Sequence, residues 1–200
     1  IVGPVVRQNI LNADSKRAEK HFGLDPNRPL LLITGGGQGA GQLNRMVELW
    51  LQTWLNKWQV VHLKGNNVSE SFTEDPHYHP FEFIHKGMGD LLARSDLVIT
   101  RAGMGTLGEL SVLAKDALVI PMQGTHQEDN MKSLVDNDSV YEVNPEFFSE
   151  PVNEQWKKFF NDFESGKMGK KLYQVWSGPG NQTLSGVMFS CMKKKVLQKD

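Results

Sequence analysis

Short, unbroken apolar runs alternate along this chain with stretches in which apolar residues recur every three or four positions. Leu30–Thr34 (LLLIT), Val60–Leu63 (VVHL), Leu97–Thr100 (LVIT) and Ala117–Ile120 (ALVI) are the runs. Each is strand length and lacks the apolar–polar alternation of a half-solvated strand, as expected of strands buried on both faces. Phe81–Ile84 and Val140–Val143 are predicted to be two further short strands. Leu43–Trp58 places Leu43, Met46, Val47, Trp50, Leu51, Trp54 and Leu55 at helical spacing. Helices are also predicted at Asp14–Phe22, around Asp90–Arg94, at Thr106–Lys115, at Gln127–Asp136, and from Asn153 onward. Asp14 is placed to cap the first of these and Gly23 to stop it. Lys64–Pro80 is polar and turn-rich and is predicted to be a loop.

Strands separated by helices imply right-handed crossovers and a parallel sheet. The fold class is therefore α/β: a doubly wound, Rossmann-like parallel sheet. With no internal repeat and no low-complexity linker, residues 1–200 read as one domain. Ligands of such sheets bind beyond the carboxyl ends of the strands. The segments after Thr34, Ile84, Thr100 and Ile120 thus hold the candidate chemistry.

Composition narrows the function classes. Lys+Arg 22 against Asp+Glu 23 leaves a net charge of −1, which gives no general electrostatic reason to bind nucleic acid. No apolar run approaches the roughly 20 residues of a membrane span. The one cysteine, Cys191, excludes an internal disulfide framework and fits a reducing compartment. The chain starts at Ile1 with no signal-peptide pattern, and is read as processed or as cut from something longer.

Five glycines occupy Gly35–Gly41 after the first run, more than a tight turn needs. Such a loop lets backbone N–H groups approach an anion, and the following helix start adds partial positive charge. Its spacing also fits a dinucleotide fingerprint, but the second strand ends in His62, Leu63 and Lys64, with no acid for a ribose. No Gly-Lys-Ser/Thr is present for a nucleoside-triphosphate loop. Arg101–Glu109 (RAGMGTLGE) forms a second glycine-bearing turn into a helix. Thr106-x-x-Glu109 has capping-box spacing, so Glu109 either bonds the helix start or accepts from both hydroxyls of a ribose whose phosphates lie there. In the third loop His126, Gln127 and Asn130 offer neutral donors and acceptors suited to a sugar or diphosphate, with Thr125 as a plain helix cap the alternative. His77-Tyr78-His79 reads as a solvated loop, His21, His62 and His85 receive no role, and Asp136-Asn137-Asp138 reads as a helix end. Trp50 and Trp54, one helical turn apart, read as packing residues. The basic Met192–Lys199 stretch reads as a solvated helix end.

Taken in order, these segments resemble the C-terminal, donor-binding half of GT-B glycosyltransferases of family 28. The glycine loop Gly35–Ala40 with Asn44, the Arg101–Glu109 segment, His126-Gln127-x-x-Asn130, and Gly3-Pro4-Val5-Val6-Arg7 carry the resemblance. It runs from about Ile1 to Lys132 and more loosely to the end. Gly37 stands where the family usually has Ser, and Gly65–Pro80 has no clear counterpart.

The resemblance implies the following roles. Arg7 and the backbone at Gly37 and Gln38 contact the donor diphosphate, and Ile84 offers its backbone to a uracil. Gly103, Met104, Gly105 and Thr106 form a helix start facing phosphate. Glu109 holds the ribose hydroxyls, while His126, Gln127 and Asn130 address the sugar or diphosphate. The expected activity is inverting transfer of N-acetylglucosamine from UDP-GlcNAc to a lipid-diphosphate-linked acceptor, as in peptidoglycan synthesis. No cofactor and no metal are expected, because helix starts and Arg7 would stabilise the departing UDP. The acceptor site and general base are expected in an N-terminal domain that this chain lacks, supplied covalently or by a partner subunit. A eukaryotic two-subunit enzyme that extends dolichyl diphosphate offers the parallel for a partner. The resemblance also implies a cytoplasmic protein, peripheral at the inner face of the membrane. The alternatives are a UDP-sugar epimerase on the same scaffold, a non-catalytic nucleotide-sugar-binding module, and a dinucleotide-binding Rossmann module.

Overall fold

The computed structural model describes residues 5–35, 41–65, 74–135, 140–142, 154–166, 169 and 172. Gly37 and Gln38, Gly3-Pro4, Asp136-Asn137-Asp138, Cys191 and Met192–Lys199 lie outside the described residues. The elements run α1 (Gln8–Leu11), α2 (Ser15–Phe22), β1 (Leu30–Thr34), α3 (Gly41–Leu55), β2 (Gln59–Leu63), β3 (Tyr78–Phe81), α4 (Met88–Arg94), β4 (Leu97–Thr100), α5 (Met104–Val112), β5 (Ala117–Val119), α6 (Gln127–Val135), β6 (Tyr141–Glu142) and α7 (Glu154–Asp162). All strand pairs are parallel, in the order β3-β2-β1-β4-β5-β6.

The unbroken apolar runs are explained by two cores, one on each face of the sheet. Leu30, Leu32, Val61, Val98, Ala117 and Val119 meet helices α2, α4, α5 and α6 through Ala18, Leu91, Leu92, Leu107, Leu110, Met131 and Leu134. Leu31, Ile33, Val60, Leu97, Ile99 and Leu118 meet α3 and α7 on the other face. Period-two side-chain alternation thus sends every second residue of one strand into each core. On the α3 face Trp50 stacks near Trp54 (centroids 6.3 Å), Phe160 meets Trp54 edge-on at 5.3 Å, and Trp58 Nε1 donates to the Phe160 carbonyl at 3.2 Å. Trp50 and Trp54 are packing residues, as their spacing implied.

Polar side chains tie the amino ends of the strands together. Asp96 accepts from the backbone N–H of Leu30 at 2.8 Å and from Arg94 at 3.0 Å. Arg94 also donates to Glu19 at 2.7 Å and to the carbonyls of Asp25 and Arg28 at 3.0 Å. Gln59 brackets Asp25, accepting from its N–H and donating to its carbonyl. Asp14 caps α2 by accepting from Lys16 N, and Gly23 ends it in the left-handed region at φ +67°. Gly89 permits α4 to touch α1: a Cβ there would lie 2.8 Å from the Asn9 carbonyl oxygen.

Two expectations are corrected. The third strand is Tyr78–Phe81, not Phe81–Ile84, so part of the predicted 64–80 loop is sheet and His77-Tyr78-His79 is not a solvated loop. Pro80 disguised it. Among the described residues β3 is an edge strand paired with β2 alone, where a residue lacking an N–H is tolerated. The helix predicted from Thr106 begins at Met104, with Gly103 at its cap.

Trp54 is fully buried, and its indole N–H has no hydrogen-bond partner among the described residues. Trp54→Ala is expected to destabilise the fold by about 3–5 kcal/mol in urea denaturation. Trp54→Phe should cost much less, because it removes no hydrogen bond and keeps an aromatic ring.

Candidate functional site

β1 and β4 are adjacent, and the chain leaves them to opposite sides of the sheet order. This switch point opens a crevice at the carboxyl edge, where loop backbone is not covered by a crossover. α5 starts there. Its cap residue Gly103 is extended (φ −77°, ψ 128°), and among the described residues no side chain caps the helix start. The first helical hydrogen bond runs from Leu107 N to the Gly103 carbonyl, so the N–H groups of Met104, Gly105 and Thr106 precede the ladder. The capping box is not formed, since Thr106 is the third residue of α5 and Glu109 faces elsewhere. Gly103 and Gly105 have no positive φ, and a Cβ on either would meet nothing within 4 Å. Neither backbone conformation nor described packing requires glycine at these two positions. What their small size does provide is open space over a bare helix start.

Glu109 lies one turn further along α5, its side chain 11% exposed. Both carboxylate oxygens accept from Arg7: Nε to Oε1 at 2.7 Å and Nη2 to Oε2 at 3.0 Å. This two-point fork is the strong geometry for Arg with a carboxylate. The hydrogen bond to Glu109 raises the Arg7 pKa above its ordinary value. Arg7 reaches this position from the cap of α1, which the Gly89 contact holds against α4. Beneath the turn, Arg101 is buried and donates weakly to the Ile120 carbonyl at 3.4 Å. Its Nε has no partner among the described residues, and burial lowers its pKa.

The remaining candidates divide. Asn130 donates to the Ala102 carbonyl at 3.0 Å and so braces the turn before α5. Gln127 is buried and accepts from Met122 N at 3.2 Å, which folds the third loop onto itself. Thr125 donates to the Met122 carbonyl at 2.7 Å and accepts from Gln127 N at 3.3 Å. His126 is exposed. Ile84 lies past β3, half-buried against the core, next to exposed Phe83, whose ring is 4.8 Å from that of His85. Arg7, Glu109, the α5 start and Asn130 are therefore gathered at the switch point, while Ile84 sits two strands away on the same edge. Among the described residues, no group of three or more His, Cys, Asp or Glu could hold a metal ion.

Sequence reasoning missed one polar network. Asn44 Nδ2 donates to the Lys64 carbonyl at 3.0 Å, which makes Asn44 Oδ1 an acceptor. His62 Nε2 therefore donates to that oxygen at 2.8 Å, and His62 Nδ1 accepts from the Tyr78 hydroxyl at 2.9 Å. The network joins the first turn of α3 to β2 and β3. Burial, reinforced by Lys64, pushes the His62 pKa down to about 4, and burial pushes Tyr78 up. The available signal was a histidine inside an apolar run, which calls for buried partners.

Residues 30–168 match the glycosyltransferase family 28 C-terminal domain. The chain belongs to this family. A UDP-N-acetylglucosamine--N-acetylmuramyl-(pentapeptide) pyrophosphoryl-undecaprenol N-acetylglucosamine transferase of Bacillus anthracis is 36% identical over 121 residues, covering 60% of this chain and 34% of that protein. The enzyme of the same name from Clostridium botulinum is 34% identical over 123 residues, 61% of this chain and 35% of that protein. The matched segment thus spans about a third of these relatives. Among solved structures, MurG of Acinetobacter baumannii superposes with a TM-score of 0.68 at 23% identity, covering 90% of this chain and 55% of that one. A putative UDP-N-acetylglucosamine 2-epimerase of Listeria monocytogenes gives 0.58 at 14% identity, covering 87% and 47%. Both likenesses establish the Rossmann-like GT-B fold of this family 28 domain.

A histidine held neutral in the fold binds a proton more readily once unfolded. Between about pH 6.5 and the folded pKa of about 4, the unfolded chain therefore carries the extra proton. The His62 contribution is present in full above pH 6.5 and is lost as pH falls towards 4, a decline of up to about 3 kcal/mol. Urea denaturation from pH 7 to pH 4 should show this decline, and His62→Gln should flatten it.

Proposed function

We propose that this family 28 domain binds the donor of an inverting glycosyltransferase, which passes N-acetylglucosamine from UDP-GlcNAc to a lipid-diphosphate-linked acceptor in lipid II synthesis. The observation that carries the reading is the gathering of Arg7, Glu109 and an uncapped α5 start at the sheet's switch point. The names of the relatives support the choice of donor and acceptor.

In this reading the diphosphate lies over the α5 start, with the N–H groups of Met104, Gly105 and Thr106 and the backbone of Gly37 and Gln38 pointing at it. Glu109 accepts from the two ribose hydroxyls and Ile84 offers backbone to the uracil. Arg7 meets the diphosphate, while His126, Gln127 and Asn130 line its sugar end. Negative charge grows on the β-phosphate as UDP leaves. Preorganised N–H groups and a cation aimed at that charge lower the barrier, because they need no rearrangement during reaction. The acceptor hydroxyl loses its proton to a base outside the residues assigned here, on a second, acceptor-binding domain. No resident cofactor or metal is assigned. We place the working protein at the cytoplasmic face of a membrane as a peripheral protein. Among the described residues, no helix is long and apolar enough to cross a membrane.

Calorimetry of the chain with UDP, UDP-GlcNAc, UDP-glucose and NADH tests the reading. UDP and UDP-GlcNAc are expected to bind and NADH not to. Glu109→Ala should weaken UDP by about tenfold or more, the scale of hydrogen bonds to a charged group. NADH binding without UDP binding, or an unchanged UDP affinity in the variant, would overturn it.

A second variant separates binding from folding. Gly105→Ala adds a methyl into open space within the first turn of α5. Its melting temperature is expected to hold or rise, since alanine favours helix over glycine by up to about 1 kcal/mol. Its UDP affinity is expected to fall, because the methyl occupies the approach to the helix start.

A further inference from the structure

The two side chains assigned above to different parts of one ligand are bonded to each other in the free chain. Arg7 spends Nε and Nη2 on Glu109, and both Glu109 oxygens are taken. Glu109 is nearly covered, while the Arg7 side chain bonded to it is 60% exposed. A ribose diol needs the same two oxygens, and because Glu109 is only 11% exposed it competes with the guanidinium for them. We propose that the Arg7–Glu109 pair is a selectivity latch: the guanidinium fills the ribose site, and only a ligand carrying both a diol and a nearby diphosphate exchanges both partners at once. The inference rests on the donor-binding reading and adds a property to it, discrimination between a nucleoside diphosphate and its nucleoside.

The physical basis is the accounting of partners. A nucleoside takes the carboxylate and leaves the guanidinium with water alone. A nucleoside diphosphate takes the carboxylate and gives the guanidinium a new anion at short range, so a charged fork is replaced by a charged fork. Arg7 is free to make the exchange, because it lies at the cap of a four-residue helix with its side chain in solvent. Glu109 stays put, since it is anchored within α5 among buried neighbours. Arg7 therefore acts in two opposing ways, against the ribose and for the diphosphate.

Calorimetry with uridine and with UDP on the wild-type chain and on Arg7→Ala reads both effects. In the variant, uridine affinity is expected to rise by roughly threefold or more, the scale of one partly exposed ion pair. UDP affinity should fall by about tenfold, the scale of a lost charged contact. Uridine affinity that stays level or falls in Arg7→Ala, while UDP still binds the wild type, overturns the latch and leaves the donor reading standing. Failure of UDP to bind the wild-type chain overturns that reading and the latch with it. A second measurement does not depend on that variant folding. The Arg7 Nε–H resonance of the ligand-free chain should move to the position of a solvated arginine in Glu109→Gln, and in the wild type it should move to a different position, that of a phosphate-bonded arginine, when UDP is added. A resonance that stays in place in both cases overturns the latch.

Discussion

Two parallel strands, β1 and β4, lie side by side while the chain departs from them in opposite directions. Everything at the carboxyl edge follows from that constraint. No crossover lies over such a junction, which in sheets of this kind is where ligands bind. The start of α5 lies there, and among the described residues no side chain caps it. The two faces of the sheet are closed by helices, which leaves the edge as the place where polar backbone can meet a ligand.

The opposite edge is built differently. Arg94, Asp96 and Gln59 satisfy one another and the backbone around Asp25 and Leu30. Polar groups tied together in this way make an edge rigid. At the carboxyl edge, by contrast, glycines without a conformational or packing need stand beside a buried arginine that is only weakly paired. The molecule thus concentrates side-chain ties to backbone at the amino ends of the strands, where Arg28 Nε has no partner among the described residues, and keeps the α5 start ahead of the helical ladder at the other end.

Strands buried on both faces are legible in a sequence because burial makes them nearly continuous apolar runs. Leu30–Thr34 and Leu97–Thr100 were found at their observed boundaries for that reason. Tyr78–Phe81 is less legible, because an edge strand accepts a proline that a central strand would not. The α5 start was read two residues late, since Thr106 and Glu109 mimic a capping box. Spacing says nothing of what lies across the fold, and Arg7, 102 positions away in sequence, is what Glu109 meets. His62 went unassigned for the same reason: its partners Asn44 and Tyr78 come from two other elements. Local pattern reveals elements, whereas the pairing of polar groups belongs to topology.

The indole cluster has an optical consequence. Trp50, Trp54, Trp58 and Trp156 all belong to the layer of α3 and α7, behind the sheet from Arg7 and α5. α3 starts at the carboxyl edge of the sheet at Gly41 and runs away from it, so its tryptophans sit progressively nearer the amino ends of the strands. Intrinsic emission from these four rings therefore reports on the integrity of that rear layer. Emission from these four is a poor witness to events at the carboxyl edge; the fifth tryptophan, Trp176, lies outside the described residues.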